Sequence, residues 1–320
     1  MLSLLDDLCE QSDFEFGKPW RLTDRQISVV VPLIRKTGAG PRGYVLLEEV
    51  KDRVKIEDTG SIDSVRISGI EKPILARSGL VLEGIGTQSR SIANSKVIIP
   101  EVVVEVPVHC VHASHPIRTG ARMAVSEISV PTKVHLASMI IGLGGGGQHS
   151  VWGAARSYSE DARALIAGRS PEGETSLRAE SDNLIRSVRT LTEFSKTVNE
   201  VISKMPVDLK GQVGIAVIDV DGVVGLEMFD HPDSWLAASK AVARKYGDVL
   251  AREGKAAASI FQLNEDAITD ALKGFLACAQ ERKERVLDEN ARARTIAFET
   301  KDVVGERALL DGNEIHVVAA

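Results

Sequence analysis

Apolar positions along this chain follow two different periods. Up to about residue 141 they alternate with polar residues or come in short runs cut by Gly, Pro and Ser. From 149 to 205 they return every three or four residues. The first pattern predicts strands and the second amphipathic helices, because side chains alternate across a strand but share one helix face at 3.6-residue spacing. Leu2, Leu4, Leu5, Leu8 and Cys9 predict a short helix or docking arm, broken at Gly17-Lys18-Pro19. The β-branched run S-V-V-V-P-L-I predicts a buried strand over 27–34, with Pro32 marking an edge or a bulge because proline cannot donate to a ladder. Residues 38–43 form a loop, and Y-V-L-L-E-E-V-K (44–51) predicts a helix of one or two turns. Short strands then follow at 54–57, 64–68, 73–76, 80–82, 96–99 and 102–108. The Gly and Pro turns between them argue for an antiparallel sheet or sandwich. A-S-M-I-I (137–141) predicts one more strand.

Helix formers dominate 149–205, with S-P-E-G (170–173) as a break. Leu184, Ile185, Val188, Leu191, Phe194, Val198 and Ile202 trace one continuous helical stripe. Asp221-Gly222 between two apolar runs predicts a β-hairpin over 213–229, with a type I′ turn that needs positive φ at both central residues. Further helices are expected at about 235–252, after His231-Pro-Asp-Ser, and from Asn264 to about Asn290. Strands are expected at 291–300 and 314–318. The fold class is α+β. The division reads as an N-terminal arm (1–18), a β-rich part (19–141) and a helical part (142–320) carrying the hairpin, packed as one composite unit.

Composition sharpens this in a few places. Aromatics are only 4%, so the core must be built from Val, Ile, Leu and Ala. A net charge of −6, with no run of Lys or Arg, disfavours nucleic acid as a partner, because phosphate contact needs a basic face. Three cysteines far apart, without a C-x-x-C, disfavour a disulfide framework and fit a reducing, cytoplasmic setting. The first residues are too acidic for a signal peptide, and no apolar run approaches the ~20 residues of a membrane span.

Candidate chemistry concentrates between Gly84 and Arg122. Gln88 and Arg90 lie in a Gly-rich turn, where a guanidinium can fork onto a phosphate or carboxylate. His109, Cys110, His112 and His115 follow. Imidazole and thiolate suit Zn²⁺, but in a strand over 102–111 Cys110 and His112 share a face that His109 opposes. A metal site would therefore use Cys110 and His112 with His115. The same pair would also serve as a catalytic thiol with its base, and the remaining reading makes Cys110 a small core residue continuing the valine face. The glycine run 142–147 precedes a helix but lacks the G-K-[ST] of a P-loop, so it reads as a loop. Gln148 and Trp152, at i and i+4, share one helix face. Asp219, Asp221, Glu227 and Asp230 flank the hairpin, where turn and cap roles explain them better than a metal or acid–base site does, Asp230 as a cap for the following helix.

Six segments in order carry a resemblance: L-L-E-E-V (46–50), V-K-I-E-D (54–58), G-I-G-T-Q-S-R (84–90), V-P-V-H-C-V-H (106–112), Q-H-S-V-W (148–152) and the block from Gly211 to Asp230. Together they resemble the domain family named for association with ADP-ribosylglycohydrolases and rhodanese-phosphatases, over roughly residues 27–320. The resemblance implies a neighbourhood of ADP-ribose and NAD-derived metabolism. It also implies an acidic residue after Cys-Val and then an Arg-Trp pair. Here His112 stands at the acidic position, and only Arg118 or Arg122 is placed to substitute for the Arg. The resulting expectation is a regulatory protein that binds a small anionic, nucleotide-derived ligand through Gln88, Arg90, Gln148 and Trp152. A hydrolase using Cys110 and His112 and a non-enzymatic assembly protein are the alternatives. The cofactor is left open, and so is homo-oligomerisation.

Overall fold

The computed structural model describes residues 3–100, 103–112, 115–167, 170–179, 183–253 and 264–320. Among these residues the chain forms eight α-helices and seventeen strands, an α+β fold. Leu2, Val102 and residues 168–169 and 180–182 of the expected elements lie outside them. The strands are β1 (Phe14–Phe16), β2 (Ser28–Arg35), β3 (Val45–Leu46), β4 (Lys55–Asp58), β5 (Ser64–Ser68), β6 (Ile74–Ala76), β7 (Leu80–Gly84), β8 (Arg90–Ile92), β9 (Lys96–Ile98), β10 (Val103–Cys110), β11 (Arg122–Ser129), β12 (Gln212–Asp219), β13 (Gly222–Phe229), β14 (Lys283–Glu289), β15 (Ala293–Glu299), β16 (Val304–Leu310) and β17 (Asn313–Ala319). The helices are α1 (Leu4–Glu10), α2 (Thr132–Gly142), α3 (Gln148–Ile166), α4 (Pro171–Ala179), α5 (Leu184–Phe194), α6 (Lys196–Lys204), α7 (Pro232–Leu250) and α8 (Glu265–Gln280).

Eight strands make one sheet in the order β1-β2-β12-β13-β17-β16-β15-β14. Both of its faces are covered, which is why β2 and β12 read as unbroken apolar runs rather than alternating ones. On one face Val30, Ile215, Val217 and Phe229 pack with Trp235, Val242 and Tyr246 of α7. On the other, Val29, Val31, Ala216 and Met228 pack with Leu5 and Leu8 of α1 and Leu272 and Leu276 of α8. Six further strands close into a barrel in the order β10-β5-β4-β11-β7-β8. Its interior is filled by Ile56, Val65, Ile67, Leu82, Ile92, Val106 and Val108. The antiparallel pairing expected over 54–111 is present, and closure removes the exposed edges that an open sheet would leave.

A small sheet, β3-β6-β9, forms the layer between these two bodies. Its alternation splits it: Leu75 and Val97 enter the large sheet's core, whereas Ile74, Ala76 and Ile98 enter the barrel's. Helices α2 to α6 cover the barrel's outer wall, where Val81, Ile128 and Val130 meet Val151, Tyr158, Leu184 and Leu191.

Several local expectations change. A-S-M-I-I belongs to helix α2, not to a strand: Val134, His135, Ser138 and Met139 are buried at helical spacing, while Ile140 is 41% exposed. A short apolar run does not discriminate by itself. Segment 44–51 is a two-residue strand followed by a 3-10 turn at Leu47–Glu49. Glu49 Oε2 accepts the Leu46 N–H at 2.7 Å, and Arg42 holds the carboxylate from outside. Pro32 is not on an edge, since β2 lies between β1 and β12. Val30 exchanges both backbone bonds with Trp20, so the two-residue repeat turns the Pro32 nitrogen to that same side, past the end of β1. Pro32 pairs in register with Ile215, and the register shift in β12, between Gln212 and Gly214, lies next to it, opposite Leu33 and Ile34.

The stripe from Leu184 to Ile202 spans two helices, because Ser195 interrupts it and caps α6 through its hydroxyl. The hairpin is present, but Asp219 pairs with Gly222, so Val220 and Asp221 form the loop. Only Gly222 has positive φ, and the turn is not type I′. The cap of α7 is His231, not Asp230, whose carboxylate instead accepts the Tyr44 hydroxyl at 2.6 Å. The helix expected up to Asn290 ends at Gln280, and 283–289 is edge strand β14. Strand β16 has no counterpart in the sequence-based expectation.

A buried ionic network joins the layers. Glu227 of β13, 1% exposed, accepts from Arg77 Nη1 at 3.1 Å and from Lys245 Nζ of α7 at 3.0 Å. Arg77 also donates from Nε to Glu48 at 2.5 Å and from Nη2 to Ser129 at 2.7 Å. Burial pushes the Glu227 pKa up, but Lys245 and Arg77 outweigh it and hold the carboxyl well below the usual range. Replacing Glu227 by Ala leaves two buried cations without their shared partner. Urea denaturation is expected to show a loss of about 3–5 kcal/mol, and a loss under ~1 kcal/mol would contradict this role.

Glu314 predicts the opposite pH behaviour. Burial raises its pKa from 4.5 to about 7. Arg307, 3.2 Å away, offsets this only in part because it also grips Glu284 with two bonds. A raised folded-state pKa gives stability that is complete below the unfolded value and is lost as pH rises through about 7. The wild type is expected to lose on the order of 2 kcal/mol between pH 5 and 8 from this group, and Glu314→Gln to remove that part of the slope. Equal slopes in the two proteins would refute the assignment.

Candidate functional site

The barrel mouth gathers most of the residues singled out between Gly84 and Arg122. Strand β8 pairs with β10 so that Arg90 lies opposite Cys110 and Ile92 opposite Val108. Directly opposed residues point to the same side, and Ile92 and Val108 fill the barrel. Arg90 and Cys110 therefore point inward, one step nearer the end, and both are fully buried. Gln88, two residues before Arg90, falls on this side too. The turn that delivers it needs glycine twice. Gly86 has φ +73°, and a Cβ on Gly84 would run into the carbonyl oxygens of Thr87 and Gln88.

The polar groups here form a plug. Gln88 Oε1 accepts from Arg90 Nη1 at 2.8 Å and from the Cys110 thiol at 3.1 Å. Asp58, at the end of β4, takes a bond from the Thr87 hydroxyl and from the Gly60 N–H, and it lies 3.6 Å from Arg90 Nη2. Arg90 Nε and Nη2 have no hydrogen-bond partner. Arg77, the other buried arginine among the described residues, has a partner on each of its three nitrogens. The Arg118 N–H donates to the Thr87 hydroxyl. Its guanidinium, on an exposed residue, stands over the turn, 3.9 Å from where a Cβ on Gly86 would lie.

Gln148, the first residue of α3, grips β10 from outside. Its Oε1 accepts the Cys110 N–H at 3.0 Å and its Nε2 donates to the Cys110 carbonyl at 2.8 Å. The side-chain amide thus continues the ladder where a neighbouring strand is absent. Trp152, one turn further along α3, is half-buried, and its indole Nε1 is buried without a partner. His109 faces away from the plug. Burial lowers its pKa, opposed by Asp63 and by Gln148. His112 meets the Cys110 thiol through its carbonyl, at 3.3 Å, and its ring stacks on that of His115 with centroids 5.0 Å apart. Among the described residues no three of His, Cys, Asp or Glu are grouped so as to hold a metal ion.

The structure thus brings Gln88, Arg90, Cys110 and Gln148 together. His112 joins through its backbone, and no bond links the Trp152 indole or the His115 ring to Arg90 or Gln88. Sequence reasoning missed Asp58 and Thr87 as members of the plug. The signal for Asp58 was present: it follows Ile56 by two residues in K-I-E-D, so it takes an inward position that should be apolar. The hairpin carboxylates do not converge. Glu227 is in the ionic network, Asp230 serves Tyr44, and Asp219 accepts the Asp221 N–H.

A closed antiparallel barrel packed on an eight-stranded sheet, with a buried polar plug at the barrel mouth, defines the class of α+β protein. Within that class, the model of the ARG and Rhodanese-Phosphatase-superfamily-associated Protein domain matches residues 13–320, and the chain belongs to that family. Comparison with curated proteins and with solved structures finds no match. No described helix is long and apolar enough to cross a membrane.

The burial of Cys110 makes a specific prediction. Iodoacetamide on the native protein is expected to label exposed Cys278 first and Cys110 slower by on the order of 100-fold or more, because a buried thiol reacts only on local opening. Peptide mapping by mass spectrometry reads the order. Labelling of Cys110 at the rate of Cys278 would point instead to an accessible, activated thiol.

Proposed function

We propose that the protein is a regulatory ligand-binding protein whose barrel mouth recognises a small anionic ligand of the nucleotide or ADP-ribose class. One observation carries this reading: Arg90 is completely buried yet leaves Nε and Nη2 without a hydrogen bond, Asp58 standing 3.6 Å from Nη2. A buried donor left unmade costs about 1–3 kcal/mol, more when charged, so a site that keeps two of them is arranged for an acceptor from outside. A phosphate or carboxylate offers two oxygens to such a fork. Arg118, exposed above the turn, supplies a second guanidinium on the approach. Gln88 orients Arg90, Gln148 holds the strand that carries Cys110, and Trp152 contributes an indole N–H and an aromatic face. The family's association with ARG and rhodanese-phosphatase proteins favours a phosphate-bearing ligand over a simple carboxylate.

A thermal-shift series with inorganic phosphate, AMP, NAD and ADP-ribose tests the reading. A ligand that binds only the folded form stabilises it by roughly 2.7 kcal/mol at a hundredfold excess over Kd, which raises Tm by several degrees. Arg90→Met is expected to weaken binding by at least ~10-fold, the loss of one charge-assisted bond. Arg118→Ala, at an exposed position, is expected to weaken it with the fold intact. If none of the four compounds moves Tm at millimolar concentration, the reading fails and an assembly role takes its place.

A further inference from the structure

A second cleft, away from the barrel mouth, opens where the 3-10 turn at Leu47–Glu49, strand β11 and helix α7 meet. Its volume is about 130 Å³, and Ala237 and Ala241 line it from α7. Glu48 is one of the residues that line it. One carboxylate oxygen of Glu48 accepts from Arg77 Nε, whereas the other, Oε2, is buried and has no partner. Behind Glu48, Arg77 and Lys245 share the Glu227 carboxylate, which also lies 3.6 Å from His316 Nε2. Lys51 and Lys240 stand on the cleft wall, and among the described residues neither has an ion-pair partner. The remaining lining carboxylate, Glu127, is already held by Arg244 at 3.3 Å.

The cleft lining therefore offers one unpartnered carboxylate oxygen, from Glu48, and two ammonium groups without an ion pair, from Lys51 and Lys240. We propose that it binds a small molecule carrying both a primary ammonium and an acid group. The ammonium would donate to Glu48 Oε2, and the carboxylate or phosphate would lie between Lys51 and Lys240. The volume corresponds to about four waters, the size of a two- or three-carbon amino acid or amino-alkyl phosphate. The ammonium answers the unpartnered Glu48 oxygen, and the ligand's acid group answers the two lysines. A ligand with only one of the two charges leaves the other end of the cleft unmatched.

Glycine, β-alanine and O-phosphoethanolamine are suitable probes, with methylammonium and acetate as single-charge controls, measured by calorimetry on the full chain. At least one of the three is expected to bind with a Kd at least ~10-fold below that of either control, about 1.4 kcal/mol. Glu48→Gln also disturbs buried Arg77, so the discriminating variants are Lys240→Met, at an exposed position, and Ala241→Leu, which fills the cleft. Each is expected to weaken binding at least ~10-fold. Arg118→Ala, at the barrel mouth, is expected to leave it unchanged, which separates this site from the one there. Three outcomes would overturn the proposal: no binding of any two-charge probe at millimolar concentration, equal binding of a control, or unaltered binding in both variants.

Discussion

The carboxylate of Glu227 is the group on which the arrangement of layers depends. It is carried by the central sheet and is buried, so its charge must be met by groups from elsewhere in the fold. Arg77 comes from the end of β6 in the small middle sheet and Lys245 from α7. Around them Ser95 donates its N–H to Glu306 and lies 3.2 Å from His316, while Ser78 lies 2.8 Å from His135 of α2. Breaking one member strands the others in a low-dielectric interior. A slip of any layer by one residue would do the same, so the network fixes the register between barrel, sheet and helices. Apolar packing alone would constrain that register less, because Val, Ile and Leu tolerate sliding better than charges do.

The barrel mouth follows the contrary logic. Arg77 and Arg90 are equally buried, but Arg77 is fully bonded and Arg90 is not. Gln88, Asp58 and Thr87 hold Arg90 in place without using all of its donors. The Glu48 cleft shows the mirror image, an acceptor oxygen left unpaired beside the ionic network. Both are charged groups with buried polar atoms left unmatched, one at the barrel mouth and one at a cleft.

Part of this was legible in the residue pattern. The period-two run predicted the strand series, and the alternation along β10 placed Val106, Val108 and Cys110 inward with His109 opposed, as the burial pattern shows. The Gly84–Arg90 turn was visible because its glycines have no other use. The edge strand β14 was not legible, since it is mostly exposed and carries little apolar alternation. Helix α2 was misread because A-S-M-I-I contains no period of its own. Asp58 was overlooked because a carboxylate at an inward strand position has no meaning until the opposing arginine is known.

The sequence by itself determined the α+β class, most of the strand and helix positions, and the family to which the chain belongs. These rest on local periodicity, on turn chemistry and on motifs that keep their order along the chain. Only the tertiary structure decided that the strands close into a barrel, that Glu227, Arg77 and Lys245 meet, and that Arg90 keeps free donors beside Cys110. These depend on pairings between residues far apart in the chain, from 18 positions for Glu227 and Lys245 to 150 for Arg77 and Glu227. No local pattern encodes such a pairing, because what selects it is the cost of leaving a buried charge unmatched.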